Sequence, residues 1–326
     1  MRRRDFLCAL GSAAAWPLAA GAQQANPVVG YLGIDTPALF AGRLRSFHEG
    51  LASLGFVEGR NVTVEYRWAE GQYDRLPALA SELVRANVGV IAAPGSLASA
   101  LAAKAATSSI PIVFEMGADP IGSGLVASLN KPGGNITGVT SLNAQVGSKR
   151  LELLHELLPS VDTFALMVNP GSRQNAEATT RLLQAAARTL QVKLHLLHAV
   201  AEQDFEPAFA KVREIRAGAL VIANDIYYAV RSEKLGSLAQ RYAVPAAHQS
   251  REFASAGGLM GYGGDTGESH RQAGVYVGRV LKGEKTGDLP VQQVTKVHMT
   301  INLKAAKALG INVPLSMTAR ADEGIE

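Results

Sequence analysis

The chain has 326 residues, of which 47% are hydrophobic and 18% charged. That length suits two medium-sized domains with cores of their own, and the recurring apolar runs exclude a disordered chain. The formal net charge is +4, and Lys and Arg do not cluster with aromatic residues, so a nucleic-acid partner is not indicated. The body of the chain has no run of 18 apolar residues, which argues against a membrane-spanning helix.

The first 22 residues have the pattern of an export signal. A basic run at 2–4 precedes an apolar stretch at 7–20, and small residues at 20–22 suit a signal peptidase, so we expect cleavage after Ala22. The run RRDFL at 3–7 also resembles a twin-arginine signal, but Arg2 stands where Ser or Thr is expected, so the export route stays open. The single cysteine, Cys8, lies in this segment, so we expect no thiol or disulfide in the mature chain.

Strand and helix patterns alternate along the first 140 residues. Short runs rich in Val and Ile predict buried strands, and apolar residues at helical spacing between them predict helices. The strands are predicted at Val28–Leu32, Val62–Tyr66, Val88–Ala92 and Ile110–Phe114, with helices over Phe40–Leu54, Leu76–Leu83, the alanine-rich stretch after Ser96, and Ile121–Leu129.

The same alternation begins again after residues 138–145. Strands are predicted at Phe164–Val168, Val192–Leu197 and Ala219–Ala223, and helices over Leu151–Leu158, Thr179–Leu190, Phe205–Val212 and Leu235–Tyr242. The last sixty residues hold one clear helix at 273–281, a strand at 297–302 and a short helix at 303–309, which is too little for a third domain.

This order of elements predicts the architecture. Alternating strands and helices form parallel sheets with helices on both faces. We therefore predict an α/β fold of two Rossmann-like lobes with parallel sheets and a ligand cleft between them. The N-terminal lobe is expected to comprise 27–140 plus about 266–290, and the C-terminal lobe 141–265 plus about 291–326, because the final segment returns to complete both.

Ligands of open parallel sheets bind beyond the carboxyl ends of the strands. The loops at those ends therefore supply the candidate ligand-binding residues, which are Gly33, Asp35, Gly95, Ser96, Glu115, Asp119, Asn169, Asn224, Asp225 and Tyr227. Free backbone N–H groups and a hydroxyl at the helix start after Gly95 suit a carboxylate. The acidic side chains suit a cationic or hydroxyl-bearing group, and Tyr227 suits stacking on a ring.

Each candidate also has a purely structural interpretation. Ser96 could serve only to cap its helix. Asp119 precedes Pro120, a position typical of a cap or a turn. Asp225 follows a buried strand directly and could equally anchor its loop, and one of Tyr227 and Tyr228 is expected to pack in the core.

Motifs for other chemistry do not occur. The segment KPGGN at 131–135 lacks the spacing of a phosphate loop, and Gly30–Gly33 is not a dinucleotide fingerprint. A nucleophile elbow is missing, and His195 and His198 would point to opposite faces of a strand. We therefore expect no enzyme activity, no cofactor and no metal site.

Several long segments resemble one family over essentially the whole chain. They include VEYRWAEGQYDRLPALASELV at 64–84, IPIVFEMGADPIGSGLVASLNKPGGNITGVT at 110–140, REFASAGGLMGYG at 251–263 and INLKAAKALGINVP at 301–314. Together they resemble the ABC-transporter substrate-binding family that includes tryptophan- and tyrosine-binding members. The resemblance implies a periplasmic-binding-protein type I fold whose lobes close on a solute by hinge bending.

The resemblance also implies a role and partners. A protein of this kind captures a small-molecule solute in the periplasm for an ABC permease and ATPase, and we expect a monomer. Gly95 and Ser96 match the place where amino-acid-binding relatives hold a carboxylate, and Asp225 matches the place where the second lobe reaches the ligand. The same fold could instead serve as the input of a membrane sensor. A transcription regulator is disfavoured because the export signal occupies the position of a DNA-binding headpiece.

Overall fold

The computed structural model describes residues 26–141 and 143–326. The predicted export signal and its cleavage site lie outside the described residues. Within the part of the chain that is described, no helix combines the length and apolar character that crossing a membrane requires.

The first lobe is built on a six-stranded sheet with the order β11-β5-β4-β3-β1-β2, in which every neighbouring pair is parallel. Its strands are β1 (Val28–Gly33), β2 (Thr63–Trp68), β3 (Val90–Pro94), β4 (Ile112–Met116), β5 (Ile136–Thr140) and β11 (Gln292–Gln293). Its helices are α1 (Pro37–Ser53), α2 (Leu76–Arg85), α3 (Leu97–Ala106) and α10 (Thr266–Leu281).

The second lobe has a seven-stranded sheet with the order β13-β12-β10-β9-β8-β6-β7, parallel except where β10 meets β12. Its strands are β6 (Thr163–Val168), β7 (Lys193–His198), β8 (Ala219–Ile222), β9 (Ala246–His248), β10 (Met260–Gly264), β12 (Val297–Asn302) and β13 (Glu323–Ile325). Its helices are α4 (Gly147–Leu157), α5 (Arg173–Thr189), α6 (Phe205–Glu214), α7 (Ile226–Ala229), α8 (Ser232–Arg241), α9 (Arg251–Ser255), α11 (Leu303–Ala308) and α12 (Leu315–Thr318).

This architecture confirms the predicted α/β fold of two lobes with largely parallel sheets. Apolar side chains of the strands and helices form buried clusters on the faces of each sheet. Burial on both faces explains why the central strands read as continuous apolar runs rather than as alternating ones.

The predicted helix over Ile121–Leu129 is wrong, because the structure has consecutive turns there. The Leu125 and Val126 N–H groups both donate to the Pro120 carbonyl, at 2.9 and 3.1 Å, instead of extending an i to i−4 ladder. Gly124 has a φ of +71°, in the left-handed region that glycine adopts readily, and so interrupts a helical path.

The chain returns to the second lobe after β11. Strand β11 still pairs with β5, and the Val294 N–H donates to the Thr140 carbonyl at 2.9 Å. Val291 and Val294 are buried in first-lobe clusters, so their burial keeps the chain on the first sheet until about residue 294. The chain passes between the lobes after β5, after β10 and after β11.

Helices α1 and α10 cross at backbone contact distance. A Cβ at Gly50 would lie 1.9 Å from the Arg271 carbonyl oxygen, and one at Gly274 would lie 2.0 Å from the Phe47 carbonyl oxygen. The crossing therefore requires glycine on both helices, and it positions α10 on the sheet that carries the first-lobe loops.

Gly50→Ala is expected to lower the free energy of unfolding by about 1–3 kcal/mol through overpacking, even though alanine favours helix by about 1 kcal/mol. Gly42→Ala on the same helix is the matched control, because a Cβ there meets nothing within 4 Å, and it should be neutral or stabilising. Urea unfolding measures both. Equal effects at the two positions would contradict the close crossing.

Candidate functional site

A small, mostly polar cavity lies between the two lobes, beyond the carboxyl ends of β3 and β4 on one side and of β6 and β8 on the other. It is lined by Gly95, Ser96, Leu97, Met116, Gly117 and Ala118 from the first lobe and by Ser172, Asn175, Asn224, Asp225 and Ile226 from the second. The volume that the centre of a water molecule can occupy in this cavity is about 20 Å³. This is enough for about one ordered water. The lobes are therefore closed on each other around this cavity.

The first-lobe wall of the cavity is the start of α3. Gly95 has a φ of +89°, and its N–H donates to the Glu115 carbonyl at 2.7 Å and to the Glu115 carboxylate at 3.0 Å. Ser96 caps the helix by accepting a hydrogen bond from the Ala98 N–H at 3.1 Å. A hydroxyl that accepts one bond can still donate its own proton, so Ser96 caps the helix and also presents a donor at the cavity, next to the positive end of the helix dipole.

The second-lobe wall centres on Asp225, which is 4% exposed and caps the short helix α7. Its Oδ1 accepts hydrogen bonds from the Tyr227 N–H at 2.9 Å and from the Asn169 amide at 3.2 Å. The Tyr73 hydroxyl of the opposite lobe donates to Oδ1 at 3.0 Å and to Oδ2 at 3.2 Å. Burial raises the pKa of Asp225 above its ordinary value, and these hydrogen bonds oppose the rise.

Two asparagines support this wall. Asn169 accepts a hydrogen bond from the Gly171 N–H at 2.9 Å while its amide holds Asp225, so it orients the carboxylate from behind the cavity. Asn224 lines the cavity itself, and its side chain reaches across to Gly117, where an added Cβ would lie 2.9 Å from the Asn224 amide nitrogen. Gly117 therefore lets the second lobe approach the first.

Four of the sequence-predicted candidates lie together at the cavity, and the others do not line it. Gly95, Ser96, Asn224 and Asp225 line it. Gly33 instead packs under an indole ring, because a Cβ there would lie 2.2 Å from Trp68.

Asp35, Asp119 and Tyr227 do not line the cavity and contact other protein groups instead. Asp35 is 1% exposed and pairs with Arg231 of the second lobe. Asp119 is exposed and accepts a hydrogen bond from the Ile121 N–H at 2.9 Å, as its turn-forming alternative predicts. The Tyr227 ring cannot stack on a solute from the face that Arg231 covers, where the guanidinium carbon lies 3.7 Å from the ring centroid.

Glu115 lies behind the α3 loop rather than in the cavity. Besides the Gly95 N–H, it accepts a hydrogen bond from the Ser269 hydroxyl at 2.8 Å, and it is 3% exposed. This carboxylate therefore ties the α3 loop to the start of α10, which is an indirect, supporting position.

Sequence reasoning missed Tyr73 and Asn175. Asn175 is in the first turn of α5 and donates to the Asn224 carbonyl at 2.5 Å. Its position in the sequence could have indicated a site residue, because Asn175 closely follows the loop at the carboxyl end of β6. Tyr73 lies after β2 in a short 3₁₀ segment, and only the closed arrangement of the lobes brings it to Asp225.

His248, at the end of β9, and His270, in α10, are both buried. Burial lowers the pKa of His248 well below its ordinary value, and Arg150 and Arg43 lower it further. Burial also lowers the pKa of His270, while nearby Glu115 opposes that shift. Both imidazoles are therefore neutral in the folded protein at neutral pH.

The chain resembles known proteins over most of its length. The family model described as ABC transporter substrate binding protein matches residues 32–325. The chain therefore belongs to the ABC transporter substrate-binding protein family. Members of this family bind small-molecule solutes, work with ABC transporter components, typically act outside the cytoplasm and are not classed as enzymes.

A tyrosine-binding protein of Clostridioides difficile (strain R20291) is 26% identical over 276 residues, covering 85% of this chain and 78% of that protein. A conserved domain protein from Vibrio cholerae has a crystal structure with 30% identity and a TM-score of 0.83, covering 92% of this chain and 99% of that one. An ABC domain from Streptococcus pneumoniae in complex with L-Trp has 24% identity and a TM-score of 0.81, with coverage of 92% and 100%. These matches confirm the family and the periplasmic-binding-protein fold predicted from the sequence.

Acidification is expected to destabilise the protein through the two buried histidines. Their pKa values are lowered on folding, so the unfolded chain binds more protons as the pH falls through about 6.5. The free energy of unfolding should therefore fall between pH 7.5 and 5.5, and His248→Gln should reduce that slope by up to about 1.4 kcal/mol per pH unit. Urea unfolding across this range tests it. An identical slope in His248→Gln would show that His248 gains its proton as easily in the folded protein.

Proposed function

We propose that this protein captures a small, amino-acid-like solute between its lobes and delivers it to an ABC importer. The observation that carries the proposal is the pairing of unlike groups across one cavity. The start of α3, with Ser96, offers hydrogen-bond donors from one lobe, and Asp225 offers a buried carboxylate from the other. A molecule with a carboxylate and an ammonium group satisfies both walls at once.

The electrostatics of each wall favour that class of solute. A helix N-terminus with unused backbone N–H groups stabilises a carboxylate. Burial makes an ionised Asp225 costly, as its raised pKa shows, and a ligand ammonium would offset that cost. Charge-assisted hydrogen bonds of this kind contribute about 1.5–3 kcal/mol each. The tyrosine-binding relative from Clostridioides difficile supports an amino acid as the solute class.

Closure of the lobes is part of the proposal. The cavity itself has room for about one water, and cavities of about 350 and 570 Å³ that are also lined by both lobes share Leu97 and Asn175 with it. A solute would enter this space when the lobes part and would be dehydrated when they close on it. The three connecting segments between the lobes suit a hinge of this kind, because a hinge is a few loop positions that absorb changes in φ and ψ.

Binding of amino acids is expected to raise the melting temperature of the purified protein. A solute that binds only the native state stabilises it by about 2.7 kcal/mol at a hundredfold excess over its Kd, which amounts to a few degrees for a chain of this size. A thermal-shift screen of the common amino acids, followed by calorimetry, measures this. Failure of every amino acid to shift the transition would overturn the solute class.

Asp225→Asn is expected to weaken binding of an amino acid by about ten- to a hundredfold. The solute-free variant should be no less stable than wild type, because a raised folded pKa means that ionised Asp225 costs stability at neutral pH. Ser96→Ala should cost less affinity, since the backbone donors remain. Asp288→Asn, which alters an exposed carboxylate of the first lobe outside the cavities between the lobes, is the control and should bind normally. An unchanged Kd in Asp225→Asn would restrict Asp225 to anchoring its loop.

We further propose that the chain is exported to the periplasm with residues 1–22 as its signal peptide. Cells that express the full chain are expected to accumulate a mature form beginning near Gln23 outside the cytoplasm, which N-terminal sequencing detects. Replacing Arg3 and Arg4 with Lys should block export only if the twin-arginine route is used. Retention of Met1 on a cytoplasmic product would contradict export.

A further inference from the structure

The carboxylate of Glu115 lies directly behind the first-lobe wall of the cavity. Glu115 is near the carboxyl end of β4 and is 3% exposed. One carboxylate oxygen accepts a hydrogen bond from the Gly95 N–H at 3.0 Å, and the other accepts one from the Ser269 hydroxyl at 2.8 Å. Gly95 and Ser96 line the cavity, so only the loop that begins α3 separates this negative charge from the space beside Ser96.

Burial makes the charge of Glu115 effective across that loop. Two charges that are kept out of water interact several times more strongly than the same charges in bulk solvent, because the medium between them screens them less. The Gly95 N–H is already shared between the carbonyl and the carboxylate of Glu115, so it offers little to a solute. The start of α3 therefore presents donors to a solute carboxylate while a like charge repels that carboxylate from behind.

A second buried carboxylate faces the same space from the opposite lobe. Asp225 lines the cavity and is 4% exposed. The residues that line this cavity in the described part of the chain include no Lys, Arg or His. A solute thus meets negative charge from both lobes and no basic side chain at the cavity wall.

Two basic residues near Glu115 offset its charge only in part. Burial lowers the pKa of Arg43 and the charge of Glu115 opposes that shift, so the two groups interact. The buried Nε of Arg43 nevertheless has no hydrogen-bond acceptor among the described residues. The His270 Nδ1 lies 3.4 Å from the Glu115 carboxylate, but burial lowers the pKa of His270 and its ring is neutral at neutral pH.

The two larger cavities that adjoin the site add no net charge. Arg173 and Arg181 line them, and so do Asp119 and Glu177, and all four side chains are exposed. Solvent and salt screen exposed charges, and Arg173 pairs with Glu177 at 2.9 Å. The two buried carboxylates therefore set the sign of the electrostatic potential in the cleft.

We propose that Glu115 is a specificity-determining residue that excludes solutes with an overall negative charge. The inference rests on the proposed function and narrows its solute class to amino acids without a further negative charge, excluding acidic amino acids and carboxylic acids that lack an ammonium group. In a zwitterion, the ammonium group pairs with Asp225 and offsets the repulsion between the solute carboxylate and Glu115. A simple carboxylic acid is repelled by both carboxylates with nothing to offset the repulsion.

Pairs of solutes that differ only in the ammonium group test this inference. Isothermal titration calorimetry compares L-tyrosine with 3-(4-hydroxyphenyl)propanoate, and L-leucine with 4-methylpentanoate. Glu115→Gln should bind both acids at least about fivefold more tightly than wild type does, because one of the two repelling charges is gone. Its affinity for the amino acids should change by less than about threefold, since it loses attraction for the ammonium group together with repulsion of the carboxylate.

Glu115→Gln removes the charge and can preserve the contacts. Its amide oxygen can accept from the Gly95 N–H, and its amide nitrogen can donate to the Ser269 hydroxyl, which lies 3.1 Å from the Thr266 carbonyl and can donate there. The Gly95 N–H also keeps its bond to the backbone carbonyl of residue 115 at 2.7 Å. If Glu115→Gln does not fold, Glu115→Thr removes the same charge with a residue that suits a strand.

Two further variants separate the local charge from other effects. Ser269→Ala cuts the link to α10 but leaves the charge of Glu115, so it should not improve the binding of either acid. Asp288→Asn removes one negative charge from an exposed first-lobe position outside the cavities between the lobes, so it should leave the binding of the acids unchanged. An equal gain in Asp288→Asn and Glu115→Gln would assign the effect to net charge and overturn the proposal.

The outcomes distinguish this inference from the proposed function. Unchanged binding of both acids in Glu115→Gln and Glu115→Thr, or a wild-type protein that binds either acid as tightly as the matching amino acid, would overturn the role of Glu115 even if amino acids bind. Tighter binding of the acids by Glu115→Gln, with no amino acid bound by wild type, would support the selection by charge and remove the proposed solute class.

Discussion

The arrangement of the cleft depends on a carboxylate that has been taken out of water where two lobes meet. Asp225 is almost fully buried, and donors from both lobes surround it, since Asn169 and the Tyr227 N–H belong to the second lobe and the Tyr73 hydroxyl to the first. Burial of a charge is costly unless it is paired and hydrogen-bonded. The need to satisfy this group therefore couples the position of the lobes to the chemistry of the cavity.

Glycine determines how closely the lobes can approach. Gly95 and Gly117 form part of the first-lobe wall, and an added Cβ at either position would press on Ile226 or Asn224 of the second lobe. Ile226 in turn packs against the apolar cluster of the first lobe. The backbone of the first lobe at Gly95 and Gly117 therefore lies directly against side chains of the second lobe. No layer of bulky side chains separates the lobes at these two glycines.

The cavity wall formed by the start of α3 is supported by residues that do not line the cavity. Glu115 joins the Gly95 loop to Ser269 at the start of α10, and α10 crosses α1 through two glycines. Helix α10 lies late in the sequence but is part of the first lobe, so the segment that returns from the second lobe stabilises the loop that begins α3. A change in this helix would reach the cavity without any contact with a solute.

The sequence alone predicted the two-lobe α/β fold, because strands β1, β3, β4, β6 and β8 are buried on both faces and their apolar runs are a local property. It also located Ser96, Asn224 and Asp225, because loops at the carboxyl ends of parallel strands converge wherever the fold brings the sheets face to face. Tertiary structure decided the rest. Asp35 and Tyr227 have the chemistry of ligand contacts, but the structure gives both of them Arg231 as a partner. Asp35 pairs with Arg231, which is 196 residues away in the sequence, and the guanidinium of Arg231 covers one face of the Tyr227 ring. Tyr73 and the strand β11 were missed for the same reason, since their partners are distant in sequence and no local pattern encodes them.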